Sequence, residues 1–165
     1  MLREAGELNP GPWTAHSVLV AQAAERMALH LPGLKPEHAY IVGLLHDIGR
    51  RAGVTGNRHV YDGYRYLSDL GYEPAARVAL THSFPCRNIG EVFGPLDCTA
   101  AEQSFIEDYL AAVEFDDYDR LIQLCDSLAM AEGYVLMEKR MVDVLMRYGP
   151  TPFVVPKWRA VFQIR

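Results

Sequence analysis

The stretch "AYIVGLLHDIGR", residues 39–50, decides how the chain is read. Seven uncharged residues, Ala39 to Leu45, lead into His46 and Asp47 side by side; Gly49 breaks the pattern, and Arg50 and Arg51 follow. Pro36 opens the segment, where proline suits a first helical turn. The segment therefore predicts a largely buried helix from Pro36 into His46-Asp47, stopped near Gly49. An unpartnered buried carboxylate is very costly. Asp47 is thus either solvated or faced by something positive.

Outward from this segment the periodicity stays helical. Helices are predicted at about 12–31, 58–70, 73–84, 99–113, 118–131, 135–148 and 156–163, with an irregular stretch over 86–98 that carries Gly90, Gly94 and Pro95. No window alternates like a half-buried strand. The expected fold is all-α: a single compact helical bundle spanning 1–165, with its core over about 12–148 and a C-terminal helix at 156–163 packing on it.

With 165 residues, half of them apolar, the chain is long enough for one sizeable core. Its net charge of −5 argues against a nucleic-acid polymer or membrane surface as partner, since both demand a basic face. A small anion held by a few arginines stays open. The N-terminal sequence shows no apolar signal-peptide core, and no apolar run approaches a membrane span. Cys86, Cys98 and Cys125 have no CxxC spacing and read as reduced thiols. A cytoplasmic protein is the expectation.

The six histidines differ in setting. His30 lies near a helix end and His38 in a polar first turn, where surface roles suffice. His16 shares a helical stripe with Val20, Ala23, Ala24 and Met27. His46 follows Val42 and Gly43, His82 follows Val78 and Ala79, and Asp126 follows Ile122, each at helical spacing. His59 opens a helix, with Gly63 one turn on. A single buried histidine is best explained as a hydrogen-bonded core residue. The set is not, because Asp47 and Asp126 both require positive charge and neither has a lysine or arginine on its helical face. Imidazole and carboxylate groups converging inside a bundle suit a divalent Fe, Mn or Zn ion.

The ordered residues His16, His46-Asp47 and Asp126 resemble the H…HD…D signature of the HD-domain superfamily of metal-dependent phosphohydrolases, and "HDIG" at 46–49 is a frequent form of its central motif. His59 and His82 extend the resemblance to the H…HD…H…H…D subset that holds two metals. The resemblance implies that His16, His46, Asp47 and Asp126 hold the first metal, that Asp47 bridges, and that His59 and His82 hold the second, with iron the first choice and manganese or zinc behind it. It implies hydrolysis of a nucleotide or other small phosphate ester through a metal-activated water. The subset includes di-iron hydrolases of diadenosine tetraphosphate, which the chain resembles in size and in "THS" at 81–83. It also includes HD-GYP cyclic-dinucleotide phosphodiesterases, whose Gly-Tyr-Pro is missing from "HVYDGY" at 59–64.

Arg50 stands where many such proteins have a basic residue after the motif. It and Asp47 are the expected catalytic residues, with Arg50 taking substrate phosphate. Arg51 is a second phosphate candidate, its alternative being a cation that completes a helix dipole. Tyr64 is a candidate to stack on a base, its alternative being aromatic core packing. Arg58, Arg87, Lys139 and Arg140 are unranked phosphate candidates, and Lys139-Arg140 also fits a solvated helix face. Two other functions share the ligand set: a di-iron HD oxygenase, and an HD sensor that binds metal and nucleotide without turnover.

Overall fold

The computed structural model describes residues 1–164 and is helical nearly throughout. Its helices are α1 (Leu2–Leu8), α2 (Trp13–Ala28), α3 (Pro36–Leu45), α4 (His59–Asp69), α5 (Glu73–Thr81), α6 (Ala100–Ala112), α7 (Asp117–Leu128), α8 (Met137–Tyr148) and α9 (Val154–Phe162). The all-α reading holds. One two-residue antiparallel ladder, β1 (Ala129–Met130) with β2 (Gly133–Tyr134), replaces the predicted last turn of α7. α1 is an addition to the predicted set, and its Ala5 is fully buried.

Local chemistry explains most boundaries. Pro36 and Pro74 sit in the first turns of α3 and α5. Capping boxes start α6 and α7: Thr99 exchanges hydrogen bonds with Glu102, and Asp116 with Asp119. The end of α3 departs from expectation. The helix finishes at Leu45, Asp47 leaves helical geometry at φ −99°, and a tight 3-10 turn runs over Ile48–Ala52. Gly49 lies inside that turn and does not act as a helix stop.

α2 packs chiefly on α3. A Cβ on Gly43 would lie 2.9 Å from Ala21 Cα, so only glycine lets the two backbones approach this closely. The main core joins α2, α3, α5 and α7 through Val20, Ala24, Val42, Ala76, Ala79 and Ile122. A second cluster, with Val60, Leu80, Phe84 and Ile106, ties α4 and α5 to α6. A third places Met137, Met141 and Val161 against Leu124, Leu128 and Trp158, which seats α8 and α9 on α7. Burying each such side chain contributes about 1.5–3 kcal/mol. No described helix is long and apolar enough to cross a membrane.

Candidate metal centre

The inner ends of five elements meet at one point. α2 brings His16, the end of α3 brings His46 and Asp47, α4 opens with His59, the end of α5 brings His82, and α7 brings Asp126. His46 is 0% exposed and the other three histidines and Asp47 are also buried. Ligand-capable atoms of His16, His46 and Asp126 lie within 4.8 Å of one another, and so do those of His46, Asp47 and His82. His59 joins the second group, with Nε2 3.1 Å from Asp47 Oδ1. His82 Nε2 stands 3.7 Å from the same oxygen, and His46 Nε2 3.9 Å from Oδ2.

The imidazoles are locked from behind. His46 Nδ1 lies 2.7 Å from Gly43 O, His59 Nδ1 2.8 Å from Gly56 O, and His82 Nδ1 3.0 Å from Ala79 O. A carbonyl only accepts, so each Nδ1 carries a proton and each ring turns its Nε2 inward. At His59 this is reinforced by Arg50 Nη2, which points at Nε2 from 3.3 Å. His46 Nε2 is buried without any hydrogen-bond partner. Imidazole Nε2 atoms crowding a carboxylate, one of them orphaned, are the donor set of a cation site.

Electrostatics follow from this crowding. Burial, then the neighbouring His46, pushes His82 down to about 3. His46 is likewise lowered, first by burial, so both rings are neutral at pH 7. Burial opposes ionisation of Asp47, but the charge of Arg50, foremost among its neighbours, outweighs it and holds the carboxyl well below its usual range. Asp126 is depressed in the same way: burial is overcome by the hydrogen bond and charge of His16, 2.9 Å away. Burial alone would lower His16, yet Asp126 raises it.

Arg50 revises one sequence expectation. Asp47 does have a cationic neighbour, because the tight turn brings Arg50 Nε within 2.8 Å of Asp47 Oδ2. Gly49 makes the turn possible: a Cβ there would sit 2.0 Å from His59 O and 2.4 Å from Gly63 N. Arg51 and Tyr64, expected at the substrate, lie elsewhere. Three residues per 3-10 turn set neighbouring side chains about 120° apart, so Arg51 points away from the centre and stacks over the Tyr66 ring at 4.1 Å. Tyr64 packs with Phe105 and Tyr109 in the second core. Arg58 is consumed by Glu102, and Arg87 by the Val113 carbonyl.

Surrounding bonds fix the ligands. Thr81, just before His82, donates to buried Asp119 at 2.6 Å, and Gln123 donates to Thr81 O, which pins the end of α5 to α7. Asp97 accepts from the Gly56 and Arg58 amides and so holds the loop that orients His59. The predicted irregular stretch thereby supports the site.

The centre opens into a cleft of about 670 Å³. Asp47, Arg50, His59 and Asp126 line its floor, with Phe93 and Pro95 from the 86–98 stretch at the rim. Arg140, Arg147, Tyr148, Lys157 and Trp158 also line it. Of these only Arg140 was a sequence candidate. The available signal for Lys157 was its placement in "FVVPKWRAVF", where it and Arg159 are the two cations of an otherwise apolar run.

Helices that converge imidazoles and carboxylates on one buried point define an all-α metal-binding domain. The family model for the HD domain matches residues 13–131, a span that includes all six of these side chains. The chain therefore belongs to the HD-domain family, the superfamily of metal-dependent phosphohydrolases. Comparisons with curated proteins and with solved structures gave no match.

Proposed function

We propose that the protein hydrolyses a nucleotide or other small phosphate ester at a centre of two divalent transition ions, iron foremost. The observation that carries this reading is the set of Nε2 atoms turned on Asp47, with His46 Nε2 left unpartnered. His16, His46 and Asp126 with Asp47 serve one ion, and His59 and His82 with Asp47 serve the other. Bound there, such ions supply positive charge and acidify water. Asp47, within 4 Å of three imidazoles, is placed so that both ions would share it as a ligand. Arg50, held by Asp47 at the cleft floor, takes a phosphoryl oxygen of the substrate. Hydrolysis adds the oxygen of water to phosphorus and its proton to the departing ester oxygen. The buried helix ends keep the ligands in place throughout.

Anaerobic purification followed by metal analysis and a nucleotide-hydrolysis screen tests the reading. About two ions per chain and phosphate release from at least one nucleotide are expected. Absence of metal under those conditions would overturn it, and two irons with O₂ consumption but no phosphate release would replace it with the oxygenase. His59→Ala is expected to lose one ion and keep the other, whereas Asp47→Ala loses both.

A further inference from the structure

α5 ends at Thr81, so His82 is the first residue past the helix, and no further helical turn holds it from the C-terminal side. On the N-terminal side α7 secures the chain, through Asp119 and Gln123 on Thr81. On the other side the chain leaves in two tight turns. The Phe84 amide donates to Thr81 O and the Arg87 amide to Phe84 O, each at 2.9 Å, with Arg87 in the left-handed region at φ 54°. Ser83 O lies between these turns and receives no backbone amide among the described residues.

Lys157 takes that carbonyl. Its Nζ donates to Ser83 O at 2.8 Å and to Glu91 O at 3.3 Å, so one ammonium from α9 grips the segment 83–91 at both ends. Between those ends the segment is tied to itself. Glu91 is fully buried, and its carboxylate accepts from the Cys86 amide at 3.0 Å and from the Asn88 amide at 3.1 Å. That carboxylate is also the first charge facing Lys157, and it favours the ammonium form against burial. α9 is anchored independently of this contact. Val161, Trp158 and Phe162 pack with Met137 and Met141, and the Phe153 ring closes over Gly90, where a Cβ would lie 3.0 Å from it.

Withdrawing an ammonium from water and fixing a long side chain is costly unless its N–H groups find acceptors. Apolar docking of α9 requires no such group. Here the shorter of the two bonds falls on the peptide that follows a ligand candidate, at the C-terminal end of α5, where positive charge also meets the negative end of the helix dipole. We infer that Lys157 is a positioning residue: from α9 it fixes the backbone on the C-terminal side of His82 and so sets the affinity of the ion that His82 and His59 share with Asp47. This rests on the two-ion reading above. All of α9 lies beyond the residues 13–131 that the HD family model matches, so this support comes from outside the matched span.

Two measurements on the full chain test the inference. In metal-free protein, hydrogen exchange reads the brace by itself. Lys157→Met is expected to speed exchange at the Phe84 amide at least about tenfold and to leave the Arg50 amide, bonded to Asp47 O, within about twofold. In calorimetric titration with Mn(II), the same variant is expected to bind the second ion about tenfold more weakly and the first within about twofold, the size typical for loss of a group that supports a metal ligand. Lys157→Arg keeps a cation with several donors and is expected to restore the second ion to within about threefold. Unchanged exchange at Phe84 would overturn the brace. Faster exchange with both ions weakened alike, with neither weakened, or without rescue by arginine would overturn the positioning role and leave the metal centre standing. Wild-type protein that binds fewer than two Mn(II) ions would overturn the two-ion reading and this role with it. Should Lys157→Met fail to fold by circular dichroism, Lys157→Gln takes its place with the same expectations.

Discussion

Two buried imidazoles stay neutral beside one buried and one half-buried carboxylate that stay charged, and this imbalance makes the metal-free chain sensitive to acid. His46 and His82 are lowered in the fold, His82 to about 3, mainly by burial. The unfolded chain protonates the same two rings near pH 6.5. Between about pH 6.5 and 4 it therefore binds more protons than the native state, and stability falls as pH falls. His16 is shifted the other way, and its contribution is fully present below pH 6.5 and lost as pH rises through its raised value. It cannot offset the loss on the acid side. The depressed Asp47 and Asp126 contribute stability that is present above the ordinary carboxylate range and lost below it, which extends the decline. Each unmatched proton is worth about 1.4 kcal/mol per pH unit. Urea unfolding of metal-free protein is expected to show a loss of roughly 1–3 kcal/mol between pH 6.5 and 5. A flat or rising profile there would mean that these rings are protonated in the fold.

At the scale of elements, the site depends on a backbone contact. The turn Ile48–Ala52 presses against the start of α4, and Gly49 is the point of contact. The atoms that a Cβ would strike, His59 O and Gly63 N, are backbone and cannot swing aside. Gly49→Ala is therefore expected to destabilise the fold by about 3 kcal/mol or more, the range of severe overpacking. Because the clash separates Asp47 from His59, the variant should also lose metal. Chemical denaturation together with metal content measures both, and wild-type values for the two would show that the contact does not hold the ligands. The same contact explains what the sequence could and could not reveal. His16, His46, His82 and Asp126 were legible because each shares a helical stripe with apolar residues, a local signal. The exit of the chain from α3 was not, because it is set by α4, which packs on it from outside the segment. Reading α3 through to Gly49 gave Gly49 the wrong role and left Arg51 and Tyr64 as substrate candidates on sequence proximity alone. The strand pair after α7 was illegible for a different reason: two residues per strand carry no period.

For the whole molecule, the six ligand candidates matter because they come from elements that otherwise pack chiefly through apolar side chains. α2, α3, α4, α5 and α7 each place a donor at the same buried point. Arg140 and Lys157 line the same cleft from the far C-terminal end, and their local sequence does not say which cleft they join. An ion held at the point links the helices in the native state and finds no comparable set of donors in the unfolded chain, so its binding energy becomes folding energy. At a free-ion concentration about a thousandfold above Kd, the gain is about 4 kcal/mol. For a chain of this size that corresponds to roughly 8–16 °C in Tm. Chelator-treated protein is therefore expected to melt that far below the metal-loaded form at pH 7.5, with readdition of Fe(II) or Mn(II) restoring the higher value. The shift should shrink towards pH 5.5, because a proton on His16, which Asp126 favours in the metal-free fold, competes with the ion for that ring. Scanning calorimetry with and without chelator at both pH values measures this. Identical melting curves would mean that the helix ends are held by packing alone and that no ion draws its affinity from the fold.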